Sequence, residues 1–214
     1  MLYLIGMGLE EGDMTQKGVN ALKKCKHVFT DTYTSVPYRI FGKEAGRELV
    51  EGDYLIELAE KEDVALVVSG DPLFATTHLA LFSDAVEAGI SVRVIHAPSI
   101  LNAISRTGLS SYKFGRIITV GETLMKSDED RVNSNLRSNL HTLCLFDPSV
   151  DPEVCIRAVL EKFSQKLIVC SRLGTAGERI WYGVPDDRVE KPACAIIPAE
   201  LAFYEKEFLS RFST

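Results

Sequence analysis

The sequence has no long apolar run: no stretch approaches the roughly 18 consecutive apolar residues of a membrane-spanning helix. The N-terminal Met1-Leu2-Tyr3-Leu4-Ile5 is apolar, but it lacks the basic flank of a signal peptide and Gly6 cuts it short. It reads as a first strand, and a cytoplasmic protein without membrane attachment is expected. The five cysteines, Cys25, Cys144, Cys155, Cys170 and Cys194, contain no C-x-x-C pair, which argues against zinc ribbons and thioredoxin-type redox sites. Most lie in apolar stretches and read as small buried hydrophobes. A basic excess is missing too. Net charge is -6 over 214 residues, with both signs mixed along the chain, which argues against direct nucleic-acid binding. His27, His78, His96 and His141 never fall at metal-ligand spacing, so no metal site is expected. There is no G-x-S-x-G elbow, and Ser99 has no neighbouring histidine in a triad pattern.

What is present is an ordinary globular composition, 46% hydrophobic and 25% charged. Short Val- and Ile-rich runs at 2–5, 28–30, 64–69 and 92–96 read as buried strands. Between them, 15–25, 38–48 and 76–88 read as amphipathic helices, the last with Ala75, Leu79, Phe82 and Val86 on one face and Gly89 as its stop. Beyond about residue 112 the alternation resumes. Strands are expected at 117–120, 142–146, 167–170, 179–182 and 195–197, and helices at 132–140, 152–163 and 200–211. The polar stretch 127–139 reads as a solvated helix or loop. The pattern predicts an α/β fold with a mostly parallel sheet covered on both faces. A soft boundary near 112–115 divides it into 1–112 and 113–214.

Gly6-Met7-Gly8 sits between the first strand and the first helix, where glycine permits a tight bend and a close ligand approach. With Asp31 ending the second strand, this is the beginning of a dinucleotide fingerprint. The third glycine is missing, however, and Glu10, Glu11 and Asp13 would repel phosphates. A ligand carrying a cation suits that rim better; a ligand-free turn is equally compatible. Gly70-Asp71-Pro72-Leu73 follows the third strand and Ala97-Pro98-Ser99-Ile100 the fourth, both at the strand ends where open α/β sheets bind ligands. Each taken alone also reads as a simple turn.

Leu4-Ile5-Gly6-Met7-Gly8, then Thr15 and Gly18, then the G-D-P loop resemble the tetrapyrrole methylase superfamily. The finer resemblance is to its diphthine synthase branch. It rests on Asp31-Thr32-Tyr33-Thr34-Ser35, Gly70-Asp71-Pro72-Leu73-Phe74-Ala75-Thr76-Thr77-His78, His96-Ala97-Pro98-Ser99-Ile100, Tyr112-Lys113-Phe114-Gly115 and His141-Thr142-Leu143. The resemblance implies two α/β domains, with a mostly parallel N-terminal sheet, a mixed C-terminal sheet and S-adenosylmethionine in the cleft between them. It implies cofactor contacts at Leu9, Asp71, Phe74, Ser99 and Ile100, and at Phe146, Ser171 and Leu173. The implied reaction is methylation of the amino group of a 3-amino-3-carboxypropyl histidine on elongation factor 2, by a homodimer. A methylase of the same fold acting on a tetrapyrrole or RNA, or a non-catalytic S-adenosylmethionine-binding module, are the alternatives. Two departures stand out. Ala193 occupies a strand position where the family commonly has His, and the chain is trimmed after Ser35 and after Glu122.

Of the remaining polar residues, Tyr33 could line an acceptor pocket or pack its loop. Arg172 could hold an acceptor carboxylate or form a surface salt bridge. His78 reads as a hydrogen bonder that orients a loop rather than a general base. No general base is expected, and His96 reads as a core or cap residue.

Overall fold

The computed structural model describes residues 1–213, and their contacts separate into two compact units, Met1–Asn102 and Ala103–Thr214. In the first, β1 (Leu2–Gly6), α1 (Gln16–Leu22), β2 (His27–Asp31), β3 (Lys43–Ala45), α2 (Arg47–Val50), α3 (Tyr54–Ala59), β4 (Val64–Val68), α4 (His78–Glu87) and β5 (Val92–Ile95) follow one another before α5 (Ile100–Ala103). The strands form one sheet in the order β3-β2-β4-β1-β5, and every pair is parallel. Because successive strand residues face opposite sides, Leu2 and Leu4 pack with Leu55, Ile56, Leu81 and Ala85, while Tyr3 and Ile5 pack with Ala21 and Leu22. This two-sided burial explains the uninterrupted apolar runs of β1 and β4. Thr15 caps α1 by accepting the Gly18 amide at 3.2 Å, and a side chain at Gly18 would meet Ile5 Cγ2 at 3.1 Å. Thr15 thus starts α1, and Gly18 lets it lie close on β1.

The helix expected over 38–48 is absent. Its middle is β3, an edge strand, and only Arg47–Val50 is helical. Gly42 takes φ +69, with its Cα pressed against the Val28 carbonyl, and Thr30 Oγ1 donates to the Phe41 carbonyl at 2.8 Å while accepting the Phe41 amide at 2.6 Å. Backbone pairing to β2 outcompetes the weak helical periodicity. The expected face of α4 holds only in part: Phe82 packs on the core, but Ala75 is exposed. Leu79 and Val86 are 64% and 51% exposed, whereas His78, Leu81 and Ala85 are buried. The buried stripe of α4 thus carries a polar histidine alongside Leu81 and Ala85.

The second unit contains β6 (Ile118–Val120), α6 (Lys126–Arg137), β7 (Thr142–Phe146), α7 (Pro152–Leu160), β8 (Ile168–Ser171), β9 (Arg179–Tyr182), β10 (Ala193–Ile197) and α8 (Phe203–Leu209). Its sheet runs β6-β7-β10-β8-β9; β6 and β7 are parallel and the other pairs antiparallel, so it is mixed as expected. The polar segment 127–139 is helical to Arg137. Its Asn135 is buried, accepting the Arg116 amide at 3.0 Å and donating to the Arg116 carbonyl and Thr142 Oγ1, each at 2.8 Å. Cys144, Cys155, Cys170 and Cys194 are buried free thiols; burial pushes the Cys155 thiol up to about 11, which leaves it protonated and inert.

His141 and Glu205 form the main buried polar pair of this unit. His141 Nδ1 accepts the Ala199 amide at 3.0 Å, so the neutral ring carries its proton on Nε2, 3.4 Å from Glu205 Oε1. Glu205 also accepts the Ser110 and Ala202 amides at 2.9 and 2.8 Å. Burial holds the His141 pKa below its ordinary value, against the pull of Glu205. For Glu205 burial acts upward, but the Ser110 and Ala202 amides, His141 and Lys113 outweigh it and lower the pKa. The signs agree. An unfolded histidine binds a proton near pH ~6.5, before the native ring does, so this stability is complete above that pH and is lost below it. The Glu205 contribution is complete above its unfolded value and is lost as pH falls through the lower native one. The thermal midpoint should therefore drop between about pH 7.5 and about pH 5.5, and drop less in His141→Asn, whose amide oxygen can still accept from Ala199. A wild-type midpoint that holds or rises on acidification would overturn this account.

Candidate functional site

Three loops meet at the carboxyl ends of adjacent strands β4, β1 and β5. Met7 donates its amide to the Val68 carbonyl at 2.8 Å, and Gly70 donates to the Gly8 carbonyl at 2.8 Å. Gly6 lies so close to the other two loops that a Cβ would stand 2.5 Å from the Gly70 carbonyl and 2.9 Å from Ala97 Cβ. Gly8 and Gly70 take φ +79 and +67, which side chains tolerate poorly. The glycines of both motifs thus allow three backbone segments to touch.

The amides that would cradle a pyrophosphate in a dinucleotide fold are already taken. Leu9 and Glu10 donate their N–H groups to Asp13 Oδ2 at 2.9 and 3.2 Å. A bound anion would find a carboxylate where it needs donors, so the dinucleotide reading fails on geometry as well as on charge. Asp71 Oδ1 accepts the Leu73 amide at 3.0 Å, and its Oδ2 lies 2.7 Å from His96 Nδ1. His96 is therefore neither core nor cap. Its side chain is 70% exposed and rests on the Asp71 carboxylate.

Of the residues singled out in this unit, Leu9, Asp71 and Ser99 lie on the three converging loops. Phe74 is half-buried, one turn on from Asp71, and Ile100 is half-buried at the start of α5. The Ser99 amide donates to Asn102 Oδ1 at 3.0 Å. Tyr33 lies on the loop after β2; its hydroxyl bonds Glu51 Oε1 at 3.0 Å, and the Arg47 guanidinium stands 5.5 Å over its ring.

In the second unit, Ser171 ends β8 opposite Ala193, and Phe146 lies one residue beyond the Leu145–Cys194 pair. Phe146 and Ser171 thus flank Ala193 from the two neighbouring strands. The Ser171 hydroxyl donates to the Glu190 carbonyl at 2.9 Å and accepts the Glu190 amide at 3.0 Å. Leu173 is buried, and Arg172 (φ +49) pairs with Glu190 Oε2 at 3.0 Å while 44% exposed. Such exposed pairs stabilise by about 0–1 kcal/mol, so the guanidinium is readily released to another anion. Two contacts of the cluster were invisible in the sequence: the Asp13 cap on Leu9 and Glu10, and the His96–Asp71 pair.

The convergence point gives a direct test. Gly6→Ala should lower stability by about 1–3 kcal/mol, the usual cost of overpacking, because the obstructing Gly70 carbonyl cannot rotate away. A denaturation midpoint equal to wild type would mean that the loops are not held at this distance.

Among the described residues, no helix is long and apolar enough to cross a membrane, and no group of three acidic, His or Cys side chains could hold a metal. The sequence pattern of the Tetrapyrrole (Corrin/Porphyrin) Methylases matches residues 1–186. Diphthine synthase of Methanothermobacter thermautotrophicus is 35% identical over 98% of this chain and 94% of its own length. Human diphthine methyl ester synthase is 41% identical over 70% of this chain and 59% of its own length. A crystal structure of diphthine synthase superposes with a TM-score of 0.87 at 26% identity, covering 99% of this chain and 95% of that one. With the family pattern and the archaeal relative both running through most of its length, the chain belongs to the tetrapyrrole methylase family and, within it, to the diphthine synthase branch of S-adenosylmethionine-dependent methyltransferases.

Proposed function

We propose that the protein transfers methyl groups to the amino nitrogen of a 3-amino-3-carboxypropyl group on a histidine of translation elongation factor 2, a step of diphthamide biosynthesis. The carrying observation is the carboxylate chemistry of the converging loops. Asp13 closes the Leu9 and Glu10 amides to anions, and Asp71 adds a second carboxylate. Such a lining suits the sulfonium and ammonium charges of S-adenosylmethionine and repels a pyrophosphate. Leu9, Asp71, Phe74, Ser99 and Ile100 are the proposed cofactor contacts in the first unit; Phe146, Ser171 and Leu173 follow the family pattern in the second. Tyr33 and Arg172 are proposed on the acceptor side, where Arg172 would exchange Glu190 for the acceptor carboxylate.

The sulfonium supplies an already activated methyl group, so this reading calls for no metal. The amine lone pair forms the new bond to carbon as the carbon–sulfur bond breaks, and the resulting ammonium loses its proton to solvent. No side chain need act as general base; the protein contributes alignment, an effect of up to roughly 7–11 kcal/mol. A second outcome, methylation of the carboxylate oxygen, is favoured by the likeness to the human methyl ester synthase.

Mass spectrometry of elongation factor 2 carrying the unmethylated intermediate, incubated with enzyme and S-adenosylmethionine, should show added methyl groups; alkaline lability would mark an ester. An unchanged acceptor mass would overturn the reading. In calorimetry S-adenosylhomocysteine should bind and NAD should not, and Asp71→Asn should weaken binding at least about tenfold, as expected for losing a charged hydrogen bond. Equal affinity would remove Asp71 from the site. We also propose a homodimer, which would cover exposed apolar residues such as Leu79 and Val86. Light scattering should give twice the chain mass at micromolar concentration, and a monomer mass would contradict it.

A further inference from the structure

His78 opens α4 and is wholly buried, yet no step proposed above uses its ring. Its Nδ1 lies 3.1 Å from the Pro72 carbonyl and 2.5 Å from Thr76 Oγ1. Its Nε2 has no hydrogen-bond partner and faces Asp31 Oδ2 at 3.5 Å. Asp31 ends β2 and is equally buried. Its carboxylate accepts the Tyr33 amide at 2.8 Å, the Thr34 amide at 3.2 Å and the Thr34 hydroxyl. The imidazole therefore stands between two loops, 32–35 after β2 and 70–74 after β4, with a polar atom of each loop system at either end of the ring.

A neutral imidazole has one N–H, and here two acceptors face it, the Pro72 carbonyl and the Asp31 carboxylate. Simple filling of the space would be served better by an apolar side chain, since an unsatisfied buried nitrogen is costly. Retaining a two-ended polar ring makes sense if both loops must keep a fixed relation. Burial favours the neutral ring, while Asp31 and the Pro72 carbonyl favour the charged one.

We propose that His78 is a positioning residue that couples the acceptor-side loop 32–35 to the donor-side loop 70–74, so that the placement of Tyr33 depends on the bridge from Asp31 to Pro72. The inference rests on the functional reading above, which assigns Tyr33 to the acceptor and Asp71 to the donor. His78→Asn places an amide near the position of Nδ1, and His78→Gln near that of Nε2. For His78→Asn, which removes the ring end that faces Asp31, we expect the KM for the elongation factor acceptor to rise about fivefold, as for the loss of one buried polar contact. Both kcat and the dissociation constant of S-adenosylhomocysteine should stay within about twofold of wild type, and His78→Gln, which keeps the Asp31 end and gives up the Pro72 end, should raise the KM as well. Hydrogen exchange at the Tyr33 and Thr34 amides should follow the same pattern: faster than wild type in both variants. Should His78→Asn not fold, His78→Gln read by exchange takes its place and should still speed those two amides, since its Asp31 end is kept and only the Pro72 end is lost. Unchanged exchange, or losses of donor affinity and acceptor KM in equal measure, would overturn the coupling. If wild type leaves the acceptor unmodified while exchange follows the expected pattern, the functional reading fails and the coupling stands.

Discussion

The first unit's part of the candidate site depends on a backbone contact that only glycine permits. Three parallel strands end side by side, and the loops leaving them touch because Gly6 has no side chain between the Gly70 carbonyl and Ala97. The reciprocal Gly8–Gly70 bonds then lock the first two loops edge to edge. Asp71, Ser99 and Leu9 come into one neighbourhood as a consequence of that contact. Burial of both sheet faces supplies the rigidity: apolar pressure from either side holds β1 and β4 in register, so their ends are fixed as well.

Much of this was legible in the sequence. Unbroken apolar strands, their alternation with helices and the glycine turns all report local physics that survives in any context. The elements that were misread are those where long-range contacts outweigh local pattern. Residues 38–48 carry a helical spacing, but the reciprocal Thr30–Phe41 bonds and the left-handed Gly42 draw 43–45 into the sheet. In α4 the hydrophobic spacing pointed to Leu79 and Val86, whereas the buried stripe begins at His78. One member of that stripe is polar, and hydropathy alone does not register it.

The site divides in the same way. Asp71 and Ser99 could be read because each follows a strand in a recognisable turn. The partner of Asp71 could not be, since His96 is distant in sequence and only the parallel pairing of β5 beside β1 carries it near. The Asp31–His78 pair was hidden for the same reason: each residue lies in a motif of its own, and their meeting is a property of the sheet order.

The carboxylate of Asp13, folded back onto the Leu9 and Glu10 amides, has a bearing on turnover as well as on affinity. Under the proposed reaction the methyl donor enters with one more positive charge than the spent thioether that leaves. With the donor bound as proposed, a loop surface that offers carboxylates in place of free amides would discriminate between the two, attracting the charged donor and relaxing its hold once the charge is gone. The same turn that refuses phosphates would thereby limit inhibition by the enzyme's own product.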